Sequence, residues 1–258
     1  EEKEGTEGLK VMSYNIRLGS ADDKTTSWAL RYTATEEMLK DQAPDVFGVQ
    51  EALVYQVAFI EDICGYESVG VGRENGKKEG EHMSIFWNKK TVKMLKWGTF
   101  WLSETPEKPS KGWDAECFRT ATWALMKDKK TGKKFYFVNT HLDHKGTEAQ
   151  KNGLKLIVDR IAEINPDGLP MVLTGDFNIE PKNPALKDLD ARMQSARKIA
   201  VKTDDHATYN GWGKSSTMID YIYVSGFSSC PEYQTVTKRY EDRKFISDHY
   251  PIFARLIF

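Results

Sequence analysis

The stretch LPMVLTGDFN, residues 169–178, decides how this chain is interpreted. Its apolar run lies between Pro170 and Gly175, and a run of that length between turn-forming residues predicts a short buried strand. Asp176 and Asn178 follow two residues apart, so an extended chain presents both side chains on the same side. Because Asp and Asn beside Gly are also common in turns, the pair alone indicates either a turn or a group of chemical ligands.

Polar groups of the same kind lie at the ends of other predicted strands. They are Asn15, Glu51, Glu81, His141, Asp220, Asp248 and His249. Carboxylate and amide oxygens suit a hard cation such as Mg²⁺. Histidines oriented by carboxylates suit proton transfer or charge stabilisation. Hydrolysis of a phosphate ester needs this mixture, because charge on the phosphoryl oxygens must be offset and a water molecule must be positioned.

Apolar periodicity predicts about ten strands with three or four helices between them. Helices are expected near 27–42, 52–63 and 146–165, and the last is followed by the strand in 169–178. Strands and helices that alternate in this way predict a layered α/β architecture. We expect a flexible tail over residues 1–8 and a single domain over residues 9–258.

Composition excludes several classes of protein. The 258 residues are 40% hydrophobic and 29% charged, and no apolar run reaches the length of a membrane span. The net charge of −1 argues against binding of nucleic acid by bulk charge, although a local basic groove stays open. Three cysteines without paired spacing predict free or structural thiols, and no protein partner is indicated. The chain starts without Met, which suggests a removed leader and hence export, the alternative being a cytoplasmic protein.

Six motifs occur in a defined order along the chain. They are SYNIR at 13–17, QE at 50–51, NTHL at 139–142, GDFN at 175–178, IDYI at 219–222 and SDHYP at 247–251. Together they resemble the endonuclease/exonuclease/phosphatase superfamily, which includes deoxyribonuclease I. An ordered set is far more specific than any one of its members. The resemblance implies a four-layer α/β sandwich, with two stacked mixed β-sheets flanked by helices and an active site at one rim.

The resemblance also implies roles for the strand-end residues. Glu51 matches the principal metal-binding glutamate, and Asn15 and Asp248 match groups that complete the shell of the metal or its water. The implied cofactor is Mg²⁺, with Mn²⁺ as a substitute. His141 and His144 have zinc-compatible spacing, but the neighbouring carboxylates favour a harder metal.

The resemblance implies six catalytic residues, which are Asp176, Asn178, Asp220, His249, His141 and Glu81. Asp176 and Asn178 match the pair that orients the attacking water and holds the phosphate. Asp220 with His249 resembles the carboxylate and histidine pair at the scissile phosphate, and either His249 or Asp176 acts as the general base. His141 resembles the second histidine, a phosphate stabiliser or general acid.

Other residues are expected around the substrate. Glu81 is expected to orient the second histidine, although this match involves fewer residues than the others do. Arg119 is expected to neutralise a phosphate oxygen. Trp113 and Trp212 lie in predicted loops, where they could stack on a base, a sugar or an inositol ring. The alternative for Trp113 is that it simply packs its loop onto the sheet. The other two histidines, His82 and His206, are expected on the surface or in loops.

The resemblance fixes the reaction class and leaves the substrate open. The first expectation is a metal-dependent phosphodiesterase that acts on nucleic acid or another phosphodiester by in-line attack of water. The alternative is a phosphomonoesterase acting on a sugar or inositol phosphate. A catalytically inactive binding module is the least favoured, because a pure binder has no need of clustered buried carboxylates.

Overall fold

The computed structural model describes residues 7–258, so most of the expected tail at 1–8 lies outside the described residues. The strands are β1 (Leu9–Asn15), β2 (Val46–Gln50), β3 (Glu67–Val69), β4 (Ile85–Trp87), β5 (Val92–Trp101), β6 (Thr120–Asp128), β7 (Lys134–His141), β8 (Met171–Asp176), β9 (Gln194–Ser195), β10 (Asp220–Ser225), β11 (Ser229–Thr235) and β12 (Ile252–Ile257). The α-helices are α1 (Trp28–Gln42), α2 (Val54–Asp62), α3 (Thr147–Ile164), α4 (Lys187–Asp190) and α5 (Ala196–Ile199).

The strands form two six-stranded mixed sheets. The first has the order β11-β12-β1-β2-β4-β3 and the second the order β5-β6-β7-β8-β10-β9. One apolar cluster lies between the sheets, a second packs α3 on the outer face of the second sheet, and a third packs α1 and α2 on the outer face of the first. The architecture is therefore the expected four-layer α/β sandwich.

Alternation along the strands assigns each residue to one face of its sheet. In β1, Val11 belongs to the cluster between the sheets, whereas Met12 and Tyr14 belong to the cluster under α1 and α2. The same period of two puts Asn15 on the inner face, at the end of the strand. Four other strands carry polar inner-face residues at the same edge. They are Gln50 in β2, His141 in β7, Asp176 in β8 and Asp220 in β10. The layer between the sheets thus changes from an apolar core to a polar rim.

Asn139 links the two sheets next to this polar rim. Its Nδ2 donates to the carbonyl oxygen of Val49 at 2.7 Å, and its Oδ1 accepts from Gln50 Nε2 at 2.8 Å. Gly48 of β2 allows this approach, because a Cβ atom there would lie 2.3 Å from Asn139 Cγ. The amide is fully buried, so these hydrogen bonds satisfy groups that would otherwise be costly to bury.

Three expectations from the sequence can be compared directly with the structure. The helices near 27–42, 52–63 and 146–165 are confirmed as α1, α2 and α3, whereas β9 and α5 were not predicted. The three cysteines are free thiols. Among the helices of residues 7–258, none is long and apolar enough to span a membrane.

Candidate active site

The topology brings the polar strand ends to one edge of the sandwich. In the first sheet β1 and β2 are parallel and end side by side, and β12, antiparallel to β1, begins beside their ends just after Asp248 and His249. In the second sheet β7 and β8 are parallel and end at His141 and Asp176, which are register partners. β10 is antiparallel to β8, so its first residue, Asp220, pairs with Asp176. Six strand ends thus deliver side chains to one place.

These side chains surround a cavity of about 430 Å³. It is lined by Arg17, Glu51, Arg73, Glu81, Cys117, Arg119, His141, His144, Asp176, Asn178, Tyr209, Ile219, Asp248 and His249. A smaller cavity of about 330 Å³ beside α3 is lined mainly by apolar side chains and holds none of the predicted site residues. The chemistry of this chain is therefore expected in the larger cavity.

Asp176 lies at the centre of the polar cluster. Its Oδ2 is 3.0 Å from Asn15 Nδ2, 3.3 Å from His141 Nε2 and 3.5 Å from His249 Nε2. Its Oδ1 accepts the backbone N–H of Asn178 at 3.0 Å. Burial alone would raise the pKa of Asp176, but the two histidines and these hydrogen bonds hold its pKa well below the usual value. The carboxylate is therefore ionised at neutral pH.

Asn15 connects the two carboxylates that come from opposite sheets. Its Nδ2 also donates to Glu51 Oε2 at 2.6 Å, and its Oδ1 accepts the backbone N–H of Arg17 at 3.0 Å. In this arrangement the amide orients Glu51 and Asp176, and its oxygen faces the backbone. Glu51 itself has a left-handed backbone with φ 66°, which is uncommon for a residue with a long side chain and marks a constrained position.

The cluster has the composition of a divalent metal site. Ligand atoms of Glu51, Asp176 and His249 lie within 4.8 Å of one another, and Asp248 lines the same cavity. The carboxylates outnumber the nearby cations of Arg17 and His249, and a divalent cation would balance that excess. Buried carboxylates of this kind match the preference of Mg²⁺ or Mn²⁺ for oxygen ligands.

Two pKa values reflect the crowding of charge in this cluster. Burial, assisted by the charge of Glu51, raises the pKa of the Asp248 carboxyl to about 6. Burial alone would also raise the pKa of Glu51, but His141 and His249 more than offset it, so that pKa lies below its usual value. The two predicted metal ligands therefore differ, since Asp248 takes up a proton more readily than Glu51.

His249 and Asp220 form a buried pair beside this cluster. His249 Nδ1 donates to Asp220 Oδ2 at 2.8 Å, and the two side chains are 4% and 3% exposed. Burial alone would lower the pKa of His249, but Asp220 and Asp176 raise it to about 10. The two carboxylates thus favour the protonated form of the ring.

Glu81 and His141 face each other on the opposite side of the cavity. Their atoms Oε1 and Nδ1 are 3.9 Å apart, and among the described residues neither atom has a hydrogen-bond partner. The other oxygen of Glu81 forms an ion pair with Arg73 Nη2. Glu81 thus lies next to His141 without a hydrogen bond to its ring, and its role in orienting that ring stays a prediction. Arg73 was not predicted as a site residue.

Of the three predicted substrate-binding residues, only Arg119 lines the cavity. Arg119 lines the cavity and contacts Asp143 and His144, both from the turn that follows β7. The lining does not include Trp113 or Trp212. Trp113 is half-buried in its loop, and the Trp212 ring lies 5.6 Å from the guanidinium of Arg31. Trp113 fits the packing role that was weighed against stacking on a substrate, whereas Trp212 contacts Arg31.

The sequence also led to predictions for Asn178 and for the two remaining histidines, His82 and His206. Asn178 lines the cavity with a left-handed backbone, and its Nδ2 donates to the carbonyl oxygen of Leu142 at 2.8 Å. His206 is exposed as expected. The expectation for His82 was wrong in one respect: it is 5% exposed, because its backbone pairs with Ala52 and Gly72.

Sequence patterns gave no signal for Arg31, which holds two loops of the site together. Its guanidinium is fully buried and donates to carbonyl oxygens of Ile16, Arg17, Thr26 and Ile246 at 2.7–3.2 Å. Two of these carbonyls follow Asn15 directly, and that of Ile246 lies two residues before Asp248. An arginine on an amphipathic helix normally indicates solvent exposure, so its role was not visible in the sequence.

Comparisons with known proteins agree with this geometry. The sequence profile described as "Endonuclease/Exonuclease/phosphatase family" matches residues 12–249. A mannosyl-6-phosphatase from Bacteroides thetaiotaomicron is 32% identical, with a TM-score of 0.92 over 97% of this chain and 100% of that chain. An endonuclease/exonuclease/phosphatase from Bacteroides vulgatus is 33% identical, with a TM-score of 0.91 over 97% of this chain and 98% of that chain. Sphingomyelinase C 2 of Leptospira interrogans is 25% identical over 171 residues, which are 55% of this chain and 27% of that protein.

Proposed function

Because the chain belongs to the endonuclease/exonuclease/phosphatase family, whose members act as phosphoesterases, we propose that it is a metal-dependent phosphomonoesterase that acts on a sugar phosphate. The general reaction, hydrolysis of a phosphate ester, follows from membership of the family. The choice of a monoester, which the sequence ranked second to a diester, depends on the shape and charge of the cavity.

The cavity suits a small substrate better than a polymer. Its volume of about 430 Å³ lies within the range of roughly 300–1,000 Å³ for small-molecule sites. Each of its three arginines already pairs with a carboxylate: Arg17 with Asp23, Arg73 with Glu81 and Arg119 with Asp143. Binding of a nucleic-acid backbone depends on cations that neutralise successive phosphates. This pairing of the arginines is the observation that carries the proposal.

One relative supports the same choice. The mannosyl-6-phosphatase matches nearly the whole of this chain at 32% identity, and its name specifies a phosphate monoester on a sugar. We extend that reaction class to this chain, and leave the identity of the sugar to experiment.

The residues of the cluster can be assigned to steps of an in-line hydrolysis. Glu51 and Asp176, with Asp248 beside them, would hold a divalent cation, which when bound offsets charge on the phosphoryl oxygens. Asp176 Oδ2 lies between the two histidines and is placed to orient the attacking water. His249, charged and held by Asp220, donates a hydrogen bond to a phosphoryl oxygen.

His141 and Glu81 complete the assignment on the other side of the cavity. His141 lies 3.3 Å from Asp176 and can donate to the phosphoryl group or protonate the departing alcohol oxygen. Glu81 faces the other nitrogen of that ring and is placed to orient it. Asn178 is held in the cavity wall by Leu142 and contributes an amide beside the phosphate.

A second candidate function is supported by a separate observation. Sphingomyelinase C 2, whose name specifies a phosphodiester lipid as its substrate, is similar over 171 residues. A phosphodiesterase would use the same cluster of residues. It would need the leaving group on one side of the phosphate and a second ester group on the other, both within the same cavity.

The experiment compares ester classes on one preparation of the protein. Release of phosphate from hexose 6-phosphates is measured with Mg²⁺, with Mn²⁺ and with a chelator, beside turnover of bis-p-nitrophenyl phosphate and of a DNA oligonucleotide. We expect chelator-sensitive release from a hexose 6-phosphate with a kcat/KM above that for either diester. Turnover of a diester alone would overturn the proposal in favour of the phosphodiesterase.

A further inference from the structure

Asp143 anchors a group of residues at the end of the cavity away from the carboxylate cluster. Its side chain is fully buried and accepts five N–H groups at 2.8–3.2 Å. Four are backbone amides, of Glu116, Cys117, Lys145 and Gly146, and the fifth is Arg119 Nε. One carboxylate therefore fixes the loop before β6, the turn after β7 and the guanidinium between them.

These contacts argue against a second metal site here. Ligand atoms of Cys117, Asp143 and His144 lie within 4.8 Å of one another, which is close enough to surround an ion. Both oxygens of Asp143 are already occupied by N–H donors, however, and His144 Nδ1 accepts from Arg119 Nη2 at 3.0 Å. A guanidinium cation in the middle of the group would repel a metal ion.

The same contacts determine what the group offers to the cavity. An arginine has only donors, so Arg119 donates to His144 Nδ1 and the proton of a neutral His144 ring lies on Nε2. Arg119 has five N–H bonds, and its contacts with Asp143 and His144 use two of them. His144 is exposed and lines the cavity together with Arg119. The wall therefore presents N–H donors.

The charge of the group selects among ligands for those donors. The positive charge of Arg119 is balanced by Asp143, 3.2 Å away. A second phosphate or a carboxylate would be drawn to a surplus of positive charge, which this ion pair removes. Hydroxyl groups need donors and acceptors with fixed directions and no net charge. The group therefore suits the hydroxyls of a sugar.

The position of the group relative to the phosphate site fits the same ligand. Along the second sheet, Arg119 precedes β6, His141 ends β7 and Asp176 ends β8, and these three strands are neighbours. Two interstrand spacings separate Arg119 from Asp176, which is roughly 10 Å. A phosphate beside Asp176 and His141 would thus leave Arg119 and His144 within reach of the ring of its sugar.

We propose that Arg119 and His144 form a hydroxyl-binding subsite that selects sugar phosphates over other phosphate monoesters, with Asp143 as the positioning residue. This inference rests on the proposed monoesterase activity and names the part of the substrate that is recognised. His144 Nε2 and the free N–H groups of Arg119 donate to ring hydroxyls of the leaving group.

The test compares two monoesters of similar length. A hexose 6-phosphate carries ring hydroxyls and n-hexyl phosphate carries none. We measure kcat and KM for both with the Mg²⁺-loaded wild type and with His144→Ala, in which the truncated side chain is exposed and lies outside the apolar core. The wild type is expected to prefer the hexose phosphate. In His144→Ala that preference falls about tenfold, through a raised KM for the hexose phosphate, as expected for the loss of one hydrogen bond.

Lys145→Ala is the matched control. Lys145 follows His144, its side chain is 62% exposed, and its ion pair partner is Glu116. It is expected to keep the wild-type preference, because its backbone N–H to Asp143 is retained. Equal losses on both esters in His144→Ala, or a wild type without preference for the hexose, would overturn the subsite alone. A wild type that cleaves diesters and no monoester would overturn the proposed function and the subsite together.

Discussion

His249 Nδ1 lies 2.8 Å from Asp220 Oδ2, in a pair that is almost completely removed from water. The two residues are 29 positions apart in sequence: Asp220 begins β10 of the second sheet, and His249 lies just before β12 of the first. Because Nδ1 is bound to Asp220, the other ring nitrogen, Nε2, is the one that faces Asp176, at 3.5 Å. Asp220 thus decides which nitrogen of His249 is available to a substrate.

Asp220→Asn should leave the fold intact and lower kcat. An amide carries no charge, so the substitution removes the carboxylate that contributes most to the raised pKa of His249, and the ring can then lose the proton that it donates to the substrate. We expect kcat to fall about 100- to 10,000-fold with little change in KM. Steady-state kinetics, with thermal unfolding as the check on folding, measure this. A kcat close to that of the wild type would remove His249 from the mechanism.

Glu51→Gln should abolish stabilisation by metal. A ligand that binds only the native state stabilises it by about 2.7 kcal/mol at a hundredfold excess over Kd. We expect Mg²⁺ or Mn²⁺ to raise the unfolding temperature of the wild type, and to leave that of Glu51→Gln unchanged. Glu116→Gln is the control, because Glu116 is exposed and pairs with Lys145 on the surface. A metal response in Glu51→Gln equal to that of the wild type would place the metal elsewhere.

Asp143→Asn should lose stability in a pH-dependent way. Burial alone would raise the pKa of Asp143, but the backbone N–H groups of Gly146 and Glu116 and the charge of Arg119 hold its pKa well below the usual value. A carboxyl with a lowered pKa stabilises the fold above its unfolded pKa of about 3.9, and that contribution is lost as the pH falls through the folded pKa.

The measurement is urea unfolding of the wild type and Asp143→Asn between pH 2.5 and pH 7. We expect the wild type to be more stable by about 3 kcal/mol at pH 7, since the variant leaves Arg119 without its charge partner. The difference should be constant down to about pH 4 and shrink at lower pH. A gap that does not change with pH would show that the negative charge of Asp143 contributes nothing.

Arg31→Lys should reduce both stability and turnover. An ammonium group cannot reproduce the planar fork that reaches four carbonyl oxygens in two loops. We expect a loss of about 3 kcal/mol in the free energy of unfolding, together with a lower kcat, because the loops carry Asn15 and Asp248. Arg243→Ala is the control: Arg243 donates to carbonyl groups at the surface, and less than about 1 kcal/mol should be lost. Equal losses in both variants would contradict a special role for Arg31.

Residues at strand ends could be predicted from the sequence because their signal is local. Asp176 follows an apolar run and a glycine, and Glu51 follows another apolar run, so period and position suffice. The fold followed from the same signals together with the order of six motifs. The segments β9 and α5 were missed because two and four residues are too few to show a period.

Pairing between distant residues could not be predicted in the same way. The packing of loops brings Arg73 to Glu81 and Arg119 to Asp143. In the sequence, these two arginines look no different from an arginine that is exposed on the surface. Trp113 and Trp212 show the reverse case, since an aromatic residue in a loop suggests contact with a ligand and the structure places both outside the cavity lining. Only three-dimensional packing distinguishes these outcomes.

The pairing of β1 with β12 has a consequence for synthesis of the chain. β12, at residues 252–257, lies between β1 and β11 in the first sheet, and Asp248 and His249 immediately precede it. A nascent chain on the ribosome has β1 long before it has this neighbour. The hydrolytic centre is therefore assembled only after residues 252–257 have left the exit tunnel, so translation that stops early yields no active hydrolase.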